Sequence, residues 1–207
     1  MTKKEDEILK LCSSIKSDTE DLREKFDALK QSVESNTSKL AIHEDKLSSI
    51  EMKLNHLEQH SRNFSLRIFG LKLDQETSRH SNSTAKVVYE SVLTPILMKA
   101  VESGTLPSIP PLHRLIEQCH ILKISKSNDS TPVICRFQVR MIRDLVFTHK
   151  KTVLSDPKNK LEHISIVEDL TSLNYKKLQG LRKDNIQAWS LGGNIFYLDK
   201  KGVKKQA

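Results

Sequence analysis

A heptad repeat of mostly apolar residues, which keeps one register from Ile8 to Leu57, is the feature that most restricts how this chain can fold. With Leu47 at position a, apolar residues recur at a and d for seven heptads without a slip in register, far more than one surface helix needs. The residues at a are Phe26, Val33, Leu40, Leu47 and Leu54, and those at d are Ile8, Ile15, Leu22, Leu29, Ile50 and Leu57. Only similar helices can cover so narrow a stripe, so residues 1–61 are predicted to form a coiled coil.

The charged residues beside this stripe predict how the helices are oriented. The g positions hold Lys39, Lys46 and Lys53, and the e positions five residues further on hold Glu44, Glu51 and Glu58. This offset pairs opposite charges between parallel, in-register helices. Leu47 at a with Ile50 at d favours a trimer over a dimer, which stays open as the alternative. The predicted oligomerisation residues are Leu40, Leu47, Ile50, Leu54, Leu57, Lys46, Glu51, Lys53 and Glu58.

Four polar residues interrupt the stripe. Asn36 and His43 occupy consecutive d positions, and Cys12 and Thr19 occupy a positions nearer the N-terminus. Polar layers of this kind fix the register at some loss of stability, which is the favoured interpretation. A bound ion or a pH-dependent switch is the alternative.

The rest of the chain differs in charge and composition. Residues 1–60 contain 10 Lys/Arg against 13 Asp/Glu, a net charge of −3, whereas residues 61–207 contain 24 against 13, a net charge of +11. All six Gly and all six Pro also lie beyond residue 69, which puts a boundary near residue 61. A block with this charge attracts polyanions, of which nucleic acid is the commonest in cells, although a merely soluble basic protein is the alternative.

Several classes of protein are disfavoured. The cysteines, Cys12, Cys119 and Cys135, are odd in number and lack CxxC spacing, which favours a reducing, intracellular setting over a disulfide framework or zinc site. The sequence lacks an apolar signal segment and any run approaching about 18 apolar residues, so a soluble, non-secreted protein without a membrane partner is expected.

Enzymatic activity is not expected either. The adjacent carboxylates of Glu168 and Asp169 would point to opposite faces of a strand and would not converge on a substrate; Asp169 is expected to cap the next helix. No nucleophile, phosphate loop or HExxH motif is visible, and the histidines lack ligand spacing. Neither a metal, a cofactor nor a small-molecule substrate is therefore expected.

Residues 62–169 have the pattern of a small domain of the order βαββαβ. The predicted strands are 64–71, 116–124, 132–139 and 163–167, and the predicted helices lie within 83–101, broken at Thr94-Pro95, and after 139. This is the ferredoxin-like arrangement that RNA-recognition-motif (RRM) domains use, although unrelated proteins share it. The ribonucleoprotein signature is mostly missing, because Arg67 occupies the position of the stacking aromatic on the first strand. Phe69 and Phe137 could stack on bases, but a place in the core is favoured for each.

The helix after residue 139 is predicted to be amphipathic. Its apolar face holds Ile142, Leu145, Val146, His149 and Val153, and its exposed face holds Arg140, Arg143, Lys150 and Lys151.

Residues 170–207 are predicted to form a small separate domain, a helix followed by a β-hairpin. The helix follows the cap-like Thr171-Ser172 and turns Lys176, Lys177, Arg182 and Lys183 outward. The hairpin turns at Gly192-Gly193-Asn194, and Trp189, Phe196 and Tyr197 flank the turn beside Lys200 and Lys201. Aromatics among cations are typical of single-strand-binding surfaces, although in so small a unit two of the three rings are expected in the core.

These parts, in this order, resemble the first open-reading-frame protein of LINE-type non-LTR retrotransposons of the L-one-like clade. The segments KLSSIE (46–51) and KLNHLE (53–58) resemble the family's Arg-hydrophobic-x-x-hydrophobic-Glu trimerisation motif with Lys in place of Arg. The resemblance continues through LEQHSRNFSLRIFGL, IEQCHILK, TPVICRFQV and ISIVEDLT and covers nearly the whole chain.

The resemblance implies a homotrimeric RNA-binding protein, not an enzyme, that coats its own transcript and acts as a nucleic-acid chaperone. It also implies that RNA lies in the cleft between the central and C-terminal domains, held by cations. The matching positions are Arg62, Arg67, Arg136, Arg140 and Arg143. Two departures are Ile121, where the family usually has Arg, and Lys in the trimer motif, which lacks the bidentate fork of Arg.

The predicted nucleic-acid-binding residues are Arg62, Arg67, Lys123, Arg136, Arg140, Arg143, Lys150, Lys151, Lys176, Lys177, Arg182, Lys183, Tyr197 and Lys200. The expected partners are single-stranded RNA, with DNA left open, and further copies of the chain itself, in cytoplasmic ribonucleoprotein particles with nuclear entry left open. The alternative is a coiled-coil scaffold or adaptor whose globular end binds protein.

Overall fold

The chain has a long N-terminal helix followed by small antiparallel sheets, and it is mostly helical. The computed structural model describes residues 3–73, 80–122 and 132–207. It divides after Leu54 into two compact units. The domain boundaries predicted at 61/62 and 169/170 stay predictions. Within the described ranges, no helix combines the length and the apolar character needed to cross a membrane.

Helix α1 spans Lys3–Arg62, which confirms the predicted long N-terminal helix. It contains no Gly or Pro, so no residue in it strongly disfavours helix. The apolar a and d residues are all exposed by half or more in the single chain, from Ile50 at 51% to Leu57 at 67%. A stripe that is mostly apolar over seven heptads and open to solvent is suited to pairing with another helix, but the coiled coil itself stays a prediction.

A four-stranded antiparallel sheet lies in the second unit. Its strands are β1 (Ser65–Phe69), β2 (Ile116–Ile121), β3 (Val133–Phe137) and β4 (Ser165–Glu168), in the spatial order β2-β3-β1-β4. The last strand begins two residues later than His163, where the sequence predicted it. The intervening helices are α2 (Ser81–Val88), α3 (Thr94–Glu102), α4 (Leu112–Leu115) and α5 (Arg140–Leu154), with a 3-10 turn at Pro157–Asn159.

An α-helix begins at Thr94 with Pro95 in its first turn, as predicted, but Thr94 is not its cap, because α2 and α3 are joined into one continuous helical segment. A π-helical turn, Tyr89–Leu93, joins them, and the Thr94 hydroxyl donates to the Tyr89 carbonyl at 2.8 Å. Proline lacks the N–H that an α-helix would use, and a wider turn before it accommodates that loss.

The core lies between one face of the sheet and the helices. Leu66 and Ile68 of β1 and Phe137 of β3 are fully buried, together with Val92, Leu93, Ile96, Leu97 and Val146 of the helical elements. Phe137 is therefore a core residue as predicted. Phe69 points to the opposite face and is partly exposed, so its predicted place in the core is wrong.

The C-terminal elements are α6 (Ser172–Lys183) and a second antiparallel sheet of β5 (Ala188–Leu191), β6 (Asn194–Leu198) and β7 (Lys204–Gln206), in the order β5-β6-β7. The β5–β6 hairpin lies where it was predicted, whereas β7 was not anticipated. Thr171 caps α6, because its hydroxyl oxygen accepts a hydrogen bond from the backbone N–H of Asn174 at 3.2 Å. A small core of Leu170, Leu178, Ala188 and Ile195 holds these elements together.

Candidate functional site

The outer face of the four-stranded sheet carries a row of side chains centred on Arg67. The strand registers place Arg67 directly between Ile134 of β3 and Val167 of β4, and Ile134 opposite His120 of β2. Successive strand residues alternate between faces, so these positions are set by the burial of Leu66 and Ile68 on the other side. The β pattern in the sequence thus brings one arginine to the middle of an accessible sheet face.

Asp169, the residue after β4, holds Arg67 together with Arg62 from the end of α1. The Arg62 Nη1 lies 2.9 Å from the Asp169 Oδ1, and the Arg67 Nη2 lies 2.6 Å from the same oxygen. The Asp169 side chain is 3% exposed. The prediction that Asp169 caps the next helix is wrong, because Thr171 provides that cap and Asp169 faces the arginines instead.

Arg136 on β3 extends the basic surface along the sheet. Its Nε donates to Glu117 at 2.8 Å, its Nη1 donates to the Ser61 carbonyl at 2.9 Å, and its guanidinium carbon lies 5.4 Å from the centre of the Phe64 ring. These contacts fix the side chain while leaving it about a third exposed, at 32%. The Arg136 side chain is therefore already ordered and would lose little conformational entropy on contacting an anion.

Two cavities adjoin at Arg62. The first, of about 340 Å³, is lined by Glu58, Ser61, Arg62, Ser65, Gln118, His120, Ile134, Arg136 and Asp169. The second, of about 590 Å³, is lined by Arg62, Arg67, Phe69, Leu122, Pro132, Val167, Glu168, Leu170, Ser172 and Tyr175. The second combines aromatic and aliphatic walls with two guanidinium groups, which suits a flat apolar group attached to an anion.

The predicted cations of α5 divide into two groups. Arg140 and Lys151 are exposed, as the amphipathic pattern predicted. Arg143 is buried, so its predicted place on the exposed face is wrong: its Nη2 lies 2.8 Å from a carboxylate oxygen of Glu168, which also accepts from the Gly192 amide at 2.8 Å. A buried carboxylate that needs a cation turns Arg143 inward, and this guanidinium is not free to contact a ligand.

Lys150, the fourth predicted cation of α5, is partly buried, between the exposed Arg140 and Lys151 and the buried Arg143. Its amine donates to the Ile166 carbonyl and lies 3.4 Å from the centre of the Phe147 ring. Burial lowers the pKa of Lys150 to about 8, against an opposing effect of the Glu168 charge. Lys150 and Lys151 both line a further cavity, of about 670 Å³. Near neutral pH the Lys150 amine is still mostly charged, and it could contact an anion at the edge of β4.

The C-terminal elements present a second group of cations. Lys176, Lys177, Arg182, Lys183 and Lys200 are exposed as predicted, although the Arg182 Nε also donates to the Ala188 carbonyl at 3.3 Å. They lie on α6, except for Lys200, which follows β6.

The aromatic residues of the hairpin are arranged differently from the prediction. Tyr197 packs against the small core and is partly exposed, whereas Trp189 and Phe196 stack on each other on the opposite face, with ring centres 6.3 Å apart. The Lys204 amine lies 4.1 Å from the centre of the Phe196 ring. Only one of the three rings joins this core, not two, and the other two lie beside Lys204; Tyr197 as a nucleic-acid contact stays a prediction.

An amide network that the sequence analysis missed connects the end of α1 to the C-terminal elements. The Gln59 side chain donates to the Asn63 Oδ1 at 3.0 Å and to the Asp169 carbonyl at 3.1 Å, and it accepts from the Thr171 amide at 2.9 Å. Gln59 stands at an f position of the heptad, where solvent exposure is the ordinary expectation, so the repeat gave no sign of its 6% exposure.

Searches against protein-family models and against curated proteins found no match. What the site can bind is therefore inferred from its geometry alone. Within the described ranges, no group of three or more His, Cys, Asp or Glu side chains is placed to hold a metal ion. Lys123, also predicted to bind nucleic acid, lies outside the described residues. What the described residues bring together is a set of guanidinium groups beside apolar and aromatic surface, which can bind an extended anion that carries flat rings.

Proposed function

We propose that this chain binds single-stranded RNA without sequence preference and acts as a nucleic-acid chaperone, as the first open-reading-frame proteins of LINE-type retrotransposons do. The observation that carries the proposal is the outer sheet face, where Arg62, Arg67 and Arg136 border two adjoining cavities. The excess of 11 positive charges in residues 61–207 supplies long-range attraction for a polyanion.

The central domain is proposed to be RRM-like. Its support is the antiparallel strand order β2-β3-β1-β4, with the helices packed on one face of the sheet. RRM domains place RNA on the other face through stacking aromatics. Here Arg67 occupies the middle of that face, so binding is expected to depend mainly on phosphate contacts, with Phe69 and Tyr175 adding apolar surface.

The chain is further proposed to assemble as a parallel homotrimer through α1. The exposed apolar stripe and the matched charges of Lys46 and Glu51, and of Lys53 and Glu58, support this assembly. Three linked RNA-binding units raise the local concentration of sites along one strand, so individually weak contacts can add up to tight binding.

The salt dependence of RNA binding tests the proposal. Counterion release lowers the logarithm of the affinity by a slope of about 0.7 per phosphate neutralised on single strands. With roughly four or more phosphates contacted, the full chain should show a slope of about −3 or steeper on an oligouridylate. A flat salt dependence, or no binding in low salt, would refute RNA binding.

A scaffold whose globular end binds protein is the second candidate. Its support is that Arg62, Arg67 and Arg136 already form ion pairs with carboxylates of the chain. Arginines that only stabilise the fold form such pairs too. Absence of RNA binding together with a stable oligomer would support this candidate.

A further inference from the structure

Asp169 is an acidic residue in the middle of the surface proposed to bind RNA. Its carboxylate is almost fully buried, and it lines the cavity that also contains Arg62 and Arg136. Like charges repel, so on charge alone a carboxylate here should weaken the binding of a polyanion. Its contacts with the arginines indicate a different role.

Two guanidinium groups converge on one oxygen atom of Asp169. The Asp169 Oδ1 accepts from the Arg62 Nη1 at 2.9 Å and from the Arg67 Nε at 2.7 Å, and the Arg67 Nη2 lies 2.6 Å from it. Without the carboxylate, two cations at this separation would repel each other and their side chains would move apart. The three groups together keep one net positive charge.

The other bonds of these arginines show which donors an anion could use. Arg67 uses its Nε and Nη2 on Asp169, and within the part of the chain that the structure describes its Nη1 has no hydrogen-bond or ion-pair partner. Arg62 uses its Nε and Nη2 on Glu58, whose side chain is 53% exposed. An exposed ion pair is weak in water, so a phosphate can replace Glu58, whereas the bonds to the buried Asp169 remain.

We propose that Asp169 is a positioning residue that holds Arg62 and Arg67 side by side, so that their remaining N–H groups bind one phosphate of single-stranded RNA. A long side chain that is already ordered loses less conformational entropy on binding, which raises affinity. The proposal rests on the RNA-binding function proposed above, and it adds an acidic residue that increases affinity for an anion.

The test is the affinity of the full chain for a short fluorescent oligouridylate. Asp169→Asn should weaken binding about tenfold, although it removes a negative charge, because both arginines lose their common anchor. The slope of the salt dependence should become shallower by about 0.7, the contribution of one phosphate. Glu102→Gln is the matched control: it removes the same charge from an exposed partner of Lys99, which lines neither of the two cavities, and it should bind as tightly as the parent or more tightly.

A second comparison separates positioning from a general structural effect. In a chain that carries Arg62→Gln and Arg67→Gln, Asp169→Asn should no longer weaken binding, because no arginines are left to position. Circular dichroism and light scattering check that each variant folds and assembles. If Asp169→Asn does not fold, Asp169→Glu takes its place, since it keeps the charge but moves it by one methylene, and it should also weaken binding.

Two results would overturn the role of Asp169: a folded Asp169 variant that binds as tightly as the parent, or equal weakening in the presence and absence of the two arginines. A parent chain that does not bind the oligouridylate at all would overturn the RNA-binding function itself, which is a distinguishable outcome.

Discussion

Gly193 in the β5–β6 turn packs directly against Gln59 at the end of α1. A β-carbon on residue 193 would stand 2.5 Å from the Gln59 Cγ and 2.6 Å from the Asn63 Oδ1, and the backbone of Gly193 has a φ of +81°. The Gly193 carbonyl also accepts from the Asn174 side chain at 2.9 Å. The turn therefore fits against the amide network only because residue 193 has no side chain.

Gly193→Ala should lower the free energy of unfolding by about 2–4 kcal/mol, because it adds both left-handed backbone strain and a collision with a side chain fixed by hydrogen bonds. Gly202→Ala is the control. Its φ of +76° gives the same strain, but nothing lies within 4 Å of its β-carbon, so a loss of only about 1–2 kcal/mol is expected. Urea denaturation measures both; equal losses would contradict the packing of Gly193 on Gln59.

Arg143→Met should destabilise the fold by about 3–5 kcal/mol, because it leaves the buried Glu168 carboxylate without its cation. Arg140→Met on the same helix removes an exposed charge and should change the free energy of unfolding by less than about 0.5 kcal/mol. Thermal unfolding of the two variants checks the difference. Similar melting temperatures would mean that the Arg143–Glu168 pair is not structural.

Oxidation should join chains through Cys12, which stands at an a position and is exposed in the single chain. Parallel, in-register helices place the Cys12 thiols at one level, where two can form a disulfide. In a trimer two chains are joined by a disulfide and the third remains a monomer on the gel, whereas in a dimer both chains are joined. Non-reducing electrophoresis therefore distinguishes a trimer, a dimer and an antiparallel coil, in which no crosslink forms.

Cys119 and Cys135 should not contribute to this reaction. Both are buried, and they lie opposite each other on β2 and β3. A hydrogen bond with Cys119, together with burial, raises the pKa of the Cys135 thiol and so disfavours the reactive thiolate. Cys12→Ser should abolish the crosslink completely; a crosslink that persists in this variant would place its origin elsewhere.

RNA affinity should fall as pH rises through about 8 if Lys150 contacts a phosphate. The pKa of Lys150 is lowered to about 8 by burial, so the amine is charged below this pH and progressively neutral above it. A neutral amine gives no charge for a phosphate to pair with. Binding to the same fluorescent oligouridylate, measured between about pH 7 and pH 9.5, shows the effect.

Lys150→Arg is the matched control for this pH dependence, since a guanidinium stays charged throughout the range. Its affinity should be nearly constant with pH. If the parent chain and Lys150→Arg vary with pH in the same way, Lys150 does not contact the nucleic acid.

Periodicity predicted the parts of this structure that depend on local pattern. The heptads predicted a long helix, and alternation placed Leu66 and Ile68 in the core with Arg67 on the other face. It failed where a polar residue serves a distant partner. Arg143 fits an exposed helical position, yet it is buried because its guanidinium forms an ion pair with the buried carboxylate of Glu168, 25 residues further on.

The sequence by itself determined the length of α1, its apolar stripe and the excess of positive charge after residue 61, because these follow from composition and spacing along one chain. Only the tertiary structure decided which charged side chains are accessible to a ligand. Arg62, Arg67 and Arg143 look alike in sequence, but the first two are partly exposed and share the buried Asp169, whereas the third is buried and neutralises Glu168. The physical reason is that the energy of an ion depends on its burial and on the opposite charges around it, and here two buried carboxylates, 25 or more positions away in sequence, distinguish the three arginines.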